Sequence, residues 1–195
     1  TTGSSNVAVG TFALTTEDTG PRNVAVGWGT LTAQNYDGAG YNTAVGYNAG
    51  NQVTSGIFNT LIGGLAGDAL TTGSNNIAIG VNALSTEDAH GRNVAIGRDA
   101  LKLQDAGTDG YNTAIGYVAG ANVTTGTLNT IVGGRAGDAL TTGDSNVAIG
   151  YLALSAETLG DRNVAVGLGA LAAQNNTSDT DVYNTAIGYN AGAAV

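Results

Sequence analysis

Cysteine and methionine are both missing from this chain of 195 residues, and proline and histidine occur once each, as Pro21 and His90. Without cysteine there is no disulfide framework, no thiolate zinc site and no thiol nucleophile. The missing methionine means that the initiator was lost or that the chain was cut from something longer, so a mature or excised fragment is expected. Positive charge is scarce too: Lys+Arg 6 against Asp+Glu 15 gives 6 − 15 = −9. That balance disfavours sequence-independent binding to nucleic acid, whose phosphates call for Lys and Arg, and an anionic membrane surface would repel it. No run of about eighteen apolar residues appears, and the first residues, TTGSSN, lack the charged and apolar regions of a signal peptide. Membrane insertion of this segment is not expected.

What is present is a 42% hydrophobic content and 32 glycines. The apolar share is mostly Ala, Val, Leu and Ile, enough to bury a core but a thin one, and the glycines follow no collagen triplet.

The glycines belong to a repeat. The pattern Asn-x-Ala-(Val/Ile)-Gly begins at Asn6, Asn23, Asn42, Asn59, Asn76, Asn93, Asn112, Asn129, Asn146, Asn163 and Asn184, with Leu61 and Ile131 replacing Ala in two copies. Successive spacings are 17, 19, 17, 17, 17, 19, 17, 17, 17 and 21 residues. Residues 1–195 are therefore one array without linkers. A second period of 70 relates copies 6, 76 and 146, and likewise 23, 93 and 163, so the unit of duplication is four coils. In the first two coil types the eighth residue after Asn is Leu (Leu14, Leu31, Leu84, Leu101, Leu154, Leu171); in the other two it is Gly.

Five β-branched-rich residues ending in Gly read as a short strand and a turn. Units of about 17 residues cannot pack a core alone, whereas stacked units bury a continuous one, so an all-β fold is predicted: a β-solenoid, or parallel β-roll, of eleven coils. The Gly column would mark turns needing a backbone that Gly alone adopts cheaply, and the Asn column would form a ladder of stacked amides. Within each strand Val7 and Val9 face one side and Ala8 the other. The reading is a Val/Ile core and an opposite face lined by Ala8, Ala25, Ala44, Ala78, Ala95, Ala114, Ala148, Ala165 and Ala186, with a second small-residue column at Ala13, Ala49, Ala66 and Ala83. An exposed apolar face of this kind is expected to be covered by a partner chain.

NVAVGTFAL, NIAIGVNAL, NVAIGRDAL and NVAVGLGAL resemble the head repeats of trimeric autotransporter adhesins of the YadA-like and haemagglutinin-like type, and are similar to repeats of phage tail fibres. The resemblance implies a left-handed parallel β-roll, three chains side by side, and attachment at a cell or virion surface, hence an extracellular location. The coils are longer than that family's and alternate in groups of four, and no neck, stalk or anchor is visible.

A catalytic apparatus should be singular, whereas residues recurring at 70 serve the repeat. Glu17-Asp18 and Glu87-Asp88 occupy equivalent places, with Glu157 in the third, and Arg22, Arg92 and Arg162 each follow five residues later. Salt bridges around a corner explain them better than paired catalytic carboxylates. His90, in the turn DAHGR, reads as a solvated turn residue, which leaves oxygen ligands for any metal. GGLAGDALTTG and GGRAGDALTTG do not match calcium-binding nonapeptides in spacing; Asp68, Asp138 and Asp144 are the candidates for a calcium ion, and no other cofactor is implied. No phosphate-binding loop occurs. The chain is read as no enzyme.

The longest segments, 31–42, 101–112 and 171–184, must emerge from one side. They carry Asp37, Asp105, Asp109, Asp179 and Asp181 and end at Tyr41, Tyr111 and Tyr183, with Tyr47, Tyr117 and Tyr189 six residues on. Tyr beside Asp and Asn suits a glycan, the ring meeting the sugar's apolar face and the acceptors its hydroxyls. The alternative is that these rings stack between coils and cap the core. For the whole chain an adhesive or structural fibre module is the first reading, and a subunit polymerising end to end into a filament is the alternative. The start TTGSSNVAVG matches positions 71–80 and 141–150, so the chain opens inside its own repeat. An ice-binding array would show Thr after Asn in every coil, and a polysaccharide-cleaving spike would need an unrepeated acidic cleft.

Overall fold

The computed structural model describes residues 3–176, 178 and 181–194; Asp179 lies outside the described residues. Eleven strands of three residues follow one another: β1 (Val7–Val9), β2 (Val24–Val26), β3 (Thr43–Val45), β4 (Thr60–Ile62), β5 (Ile77–Ile79), β6 (Val94–Ile96), β7 (Thr113–Ile115), β8 (Thr130–Val132), β9 (Val147–Ile149), β10 (Val164–Val166) and β11 (Thr185–Ile187). They form one sheet in chain order from β1 to β11. Every pairing is parallel and in register, so that Ala95 faces Ala114 and Ile96 faces Ile115. The chain is an all-β solenoid.

The Asn column joins successive coils, and most of its members also close their own. The Asn Oδ1 accepts the backbone N–H of the next Asn at 2.7–3.2 Å along all ten steps. In seven coils the Asn Nδ2 also donates to the carbonyl fourteen residues on, at 2.7–3.2 Å. Asp lacks the N–H and Gln carries an extra methylene, which is why Asn alone serves both roles. The expected amide-to-amide ladder is thus a side-chain-to-backbone ladder; the bond from Asn163 Nδ2 to Asn146 Oδ1, at 3.1 Å, joins two side chains.

The Gly after each strand has φ between 127° and 143°. A Cβ on Gly116 would lie 2.5 Å from the carbonyl oxygen of Gly133. Ordinary residues also take positive φ at the sixth residue after Asn, such as Phe12 (62°) and Leu65 (59°), and in two further columns. One is the residue before Asn, such as Arg22 (68°) and Tyr41 (52°). The other is the eighth residue after it, where Leu101 (46°) and Gly120 (57°) share a conformation. Backbone bonds to neighbouring coils hold these residues there, as in the bond from Leu101 N to Ala119 O at 3.1 Å.

The two sides of the sheet are the reverse of the sequence expectation. Ala25, Ala44, Ala78, Ala95, Ala114, Ala148 and Ala165 are fully buried inside the roll, and Ala186 nearly so. In the terminal coil Ala8 is exposed. Ala49, Ala66 and Ala83 are buried beside them, and Ala13 packs partly buried against that core. These columns cannot be the face met by another chain. The Val and Ile residues point outward, as Ile115 shows at 38% exposed next to a buried Ala114. Period-two alternation cannot tell inside from outside when both faces are apolar. Interior volume decides instead: the buried Leu of the eighth position and the residue at the eleventh already fill the roll, leaving room for a methyl. Leu61 and Ile131 replace Ala where the eighth residue is Gly, and a Cβ on Gly50 would meet Leu61 Cδ1 at 2.5 Å.

Candidate ligand-binding surface

The outer face carries the Val/Ile/Thr rows of the strands, flanked at each strand end by a stripe of larger groups. One stripe is the left-handed column before Asn. In its first rung Arg22 lies over the Tyr41 ring at 5.4 Å, its Nη1 donates to the Tyr41 hydroxyl at 2.7 Å, and Tyr41 stacks on Phe58 at 5.3 Å. Arg92 over Tyr111 (5.4 Å) and Arg162 over Tyr183 (5.8 Å) repeat the arrangement. Tyr41, Tyr111 and Tyr183 are all exposed. They lie outside the roll and cap no core.

The acidic partners divide. Asp109 pairs with Arg92, and Asp181 with Arg162; Asp181 also accepts the Tyr183 hydroxyl at 2.8 Å. Asp37 instead accepts Thr19 Oγ1 at 2.6 Å, because it stands five residues before its Asn where Asp109 and Asp181 stand three before theirs. The expected Glu–Arg corner bridges are therefore replaced: the arginines go to aspartates or tyrosine across coils.

Tyr47, Tyr117 and Tyr189 belong to the second stripe, at the far end of each strand. Tyr47 stacks on Trp28 at 5.1 Å, and Trp28 meets Phe12 edge-on at 5.6 Å. Arg98 lies over Tyr117 at 5.8 Å. Sequence reading missed Trp28, Phe12, Phe58 and the arginines as parts of this surface. Their signal was positional, since each occupies the place before Asn or just beyond Gly.

Inside the roll, the eleventh position after Asn runs Glu17, Gln34, Val53, Leu70, Glu87, Gln104, Val123, Leu140, Glu157, Gln174, all buried. The glutamates are corner clamps. Glu17 Oε1 accepts Gly20 N at 2.6 Å, and Glu157 Oε1 accepts Gly160 N at 2.8 Å. Glu157 is also met by Gln174 Nε2 at 2.7 Å and Asn176 Nδ2 at 2.5 Å. Burial pushes its pKa up, but hydrogen bonds from Gln174, Gly160 and Asn176 outweigh that and the net direction is down. Glu87 goes the other way: burial raises it, and the His90 N–H bond and the His90 charge only partly oppose this while Asp105 and Asp88 add to it.

Asp68, Asp138 and Asp144 are not assembled into a metal site. Asp68 is raised by burial, Asp138 pairs with Arg135 at 3.0 Å, and Asp144 accepts Thr127 N and Thr127 Oγ1. Among the described residues, Glu87, Asp88, His90 and Asp105 are the group whose potential ligand atoms gather, all within 4.8 Å of one another. His90 is not a freely solvated turn residue, for its side chain is 29% exposed and its Nδ1 lies 3.4 Å from Glu87 Oε1.

No family model, no curated protein and no solved structure matches this chain.

Proposed function

We propose that the chain is a non-enzymatic module of an extracellular fibre, on a cell or virion surface, that works by attachment through its outer sheet face. One observation carries this reading. Along the sheet, exposed and half-buried Val, Ile and Thr rows run between two stripes that gather most of the aromatic and guanidinium groups. A contiguous apolar face on a soluble protein marks an interaction surface. Three copies packed side by side through the Val/Ile rows as left-handed rolls would cover it, an arrangement supported by the similarity of NVAVGTFAL and NVAIGRDAL to head repeats of trimeric adhesins.

The Arg–Tyr rungs then remain as the ligand surface. They recur every four coils, about 19 Å apart at the spacing of paired strands. Each offers a flat ring and a guanidinium, joined by a carboxylate in the second and third rungs, which suits a glycan, and several weak contacts along one ridge give avidity without a strong single site. The test is a triple replacement of Tyr41, Tyr111 and Tyr183 by Ala, read on a glycan array and by binding to whole cells. Loss of attachment by the triple variant, with small effects from each single change, is the expected outcome; equal binding by parent and triple variant refutes it. Electron microscopy of the same material showing long filaments would favour a subunit that polymerises end to end with a purely structural role.

A further inference from the structure

The four-coil repeat supplies an internal control at one corner of the roll. Three equivalent corners are built on Glu17, Glu87 and Glu157. At the first and third, the position three residues after Glu is Gly20 or Gly160, and the position eighteen residues after it is Asn35 or Asn175. At the second corner these places hold His90 and Asp105, and Ala106 stands where Asn176 does. His90 is the one histidine of the chain.

The exchange adds metal ligands and, relative to the third corner, removes a hydrogen-bond donor. Glu157 is fully engaged by Gln174, Asn176 and backbone N–H groups. Glu87 is equally buried, with a side chain 0% exposed, and its Oε2, like that of Glu17 at the first corner, is enclosed without any hydrogen-bond partner; what sets the second corner apart is the histidine and the two further carboxylates beside that oxygen. Nδ1 of His90 and Nε2 of Gln104 are enclosed without partners as well. A buried carboxylate oxygen left unsatisfied is costly, and here two more carboxylates stand beside it. A cation answers the two ligand atoms among these, Glu87 Oε2 and His90 Nδ1, whereas Gln104 Nε2 is a donor that it does not satisfy.

We propose that Glu87, Asp88, His90 and Asp105 bind one divalent transition-metal ion, zinc by the chemistry of the donors. One imidazole nitrogen with carboxylate oxygens suits zinc, whereas calcium takes six to eight oxygens and no imidazole. One ligand separation already fits. Ligands about 2.1 Å from a tetrahedral zinc stand about 3.4 Å apart, and His90 Nδ1 is 3.4 Å from Glu87 Oε1. The backbone is already fixed by the coil ladder: Asp88 O accepts Thr71 N at 2.6 Å, and Asp105 N donates to Thr124 O at 2.9 Å. Asn76 Nδ2 holds the His90 carbonyl at 3.2 Å. Glu87 forms the enclosed floor, His90 the wall, and the exposed Asp88 and Asp105 the rim. The ion would pin the corner between β5 and β6 and their neighbouring coils.

The experiment uses the full chain without a histidine tag, stripped with chelator and titrated with zinc chloride by calorimetry. In parallel, NMR follows the ring nitrogens of the lone imidazole. The control variant carries His90→Gly and Asp105→Asn, installing the residues that the other two corners already tolerate, so folding is retained and is checked by circular dichroism. One zinc per chain is expected, with a large shift of the Nδ1 resonance. The folded variant should bind weaker by at least the roughly 10–100-fold that loss of even an outer-shell partner costs. Absence of saturable one-per-chain binding, an imidazole unmoved by zinc, unchanged affinity in the folded variant, or calcium competing equally well would each overturn the assignment.

Discussion

At the scale of the residue, the repeat is written by side chains that have no substitute. Asn bonds the next coil and, in most copies, its own, and Gly after the strand meets both a positive φ and a close carbonyl. At Gly116 φ is 143° and an added Cβ would stand 2.5 Å from Gly133 O. Gly116→Ala should cost about 3 kcal/mol, combining backbone strain with a clash that rigid main chain cannot relieve. Gly64, one residue beyond the same column, has nothing within 4 Å of the place a methyl would take. Gly64→Ala should change stability by no more than about 0.5 kcal/mol, and chemical denaturation of the two variants checks the contrast. These residues were legible in the sequence because they recur in every coil. The clamp role of Glu17, Glu87 and Glu157 was not, since a carboxylate five residues before an arginine reads as an ion pair until burial is known.

At the scale of the element, each strand is three residues with apolar side chains on both faces, and in all but β4 and β8 the central residue, on the side opposite its neighbours, is Ala, the smaller group. Neighbouring residues of β7 separate the two roles. Ala114→Glu would bury an unpaired charge in the roll and should destabilise it by about 4 kcal/mol, seen as a large fall in the denaturation midpoint. Ile115→Glu changes an exposed position, so the fold should persist while self-association through the outer face is lost, seen as a drop in mass by sedimentation. If Ile115→Glu keeps the parent's oligomeric mass, the outer rows are not the contact between copies. Ala95, by the same logic, is a core position, and a charge there tests folding and not assembly. The pairing of Leu61 and Ile131 with Gly at the eighth position was a sequence signal that these sites share the interior; the uniform Ala column concealed it.

At the scale of the whole molecule, stability against pH is set by buried carboxylates in one column that shift in opposite directions. Glu157 is lowered from its ordinary 4.5, so its stabilisation is fully present above that value and is lost as pH falls through its folded pKa. Glu87 is raised from 4.5, so its ionisation in the folded state costs stability as pH rises through the raised value. In chelator, Glu157→Gln should therefore unfold at lower temperature than the parent at neutral pH, with the gap closing in acid. Glu87→Gln should do the reverse, gaining on the parent as pH rises above 4.5. Thermal unfolding across this range checks both, and parallel curves for either variant and the parent would contradict the assigned shift.

The order of the amino acids is enough to establish that this chain is a β-solenoid of eleven stacked strands, which five-residue segment holds each of them, and which columns of Asn and Gly hold the stack. Period is a property of the chain, and every copy reports it. Which side of each strand faces inward came from the folded molecule, because Ala and Val are both apolar and the choice rests on the volume left by Leu, Glu and Gln from other parts of the coil. Folding also settled that Arg92 meets Asp109 and Tyr111 from the next coil instead of Glu87. The gathering of Glu87, Asp88, His90 and Asp105 likewise needed the fold, for Asp105 is brought to the other three by the stacking of one coil on the next.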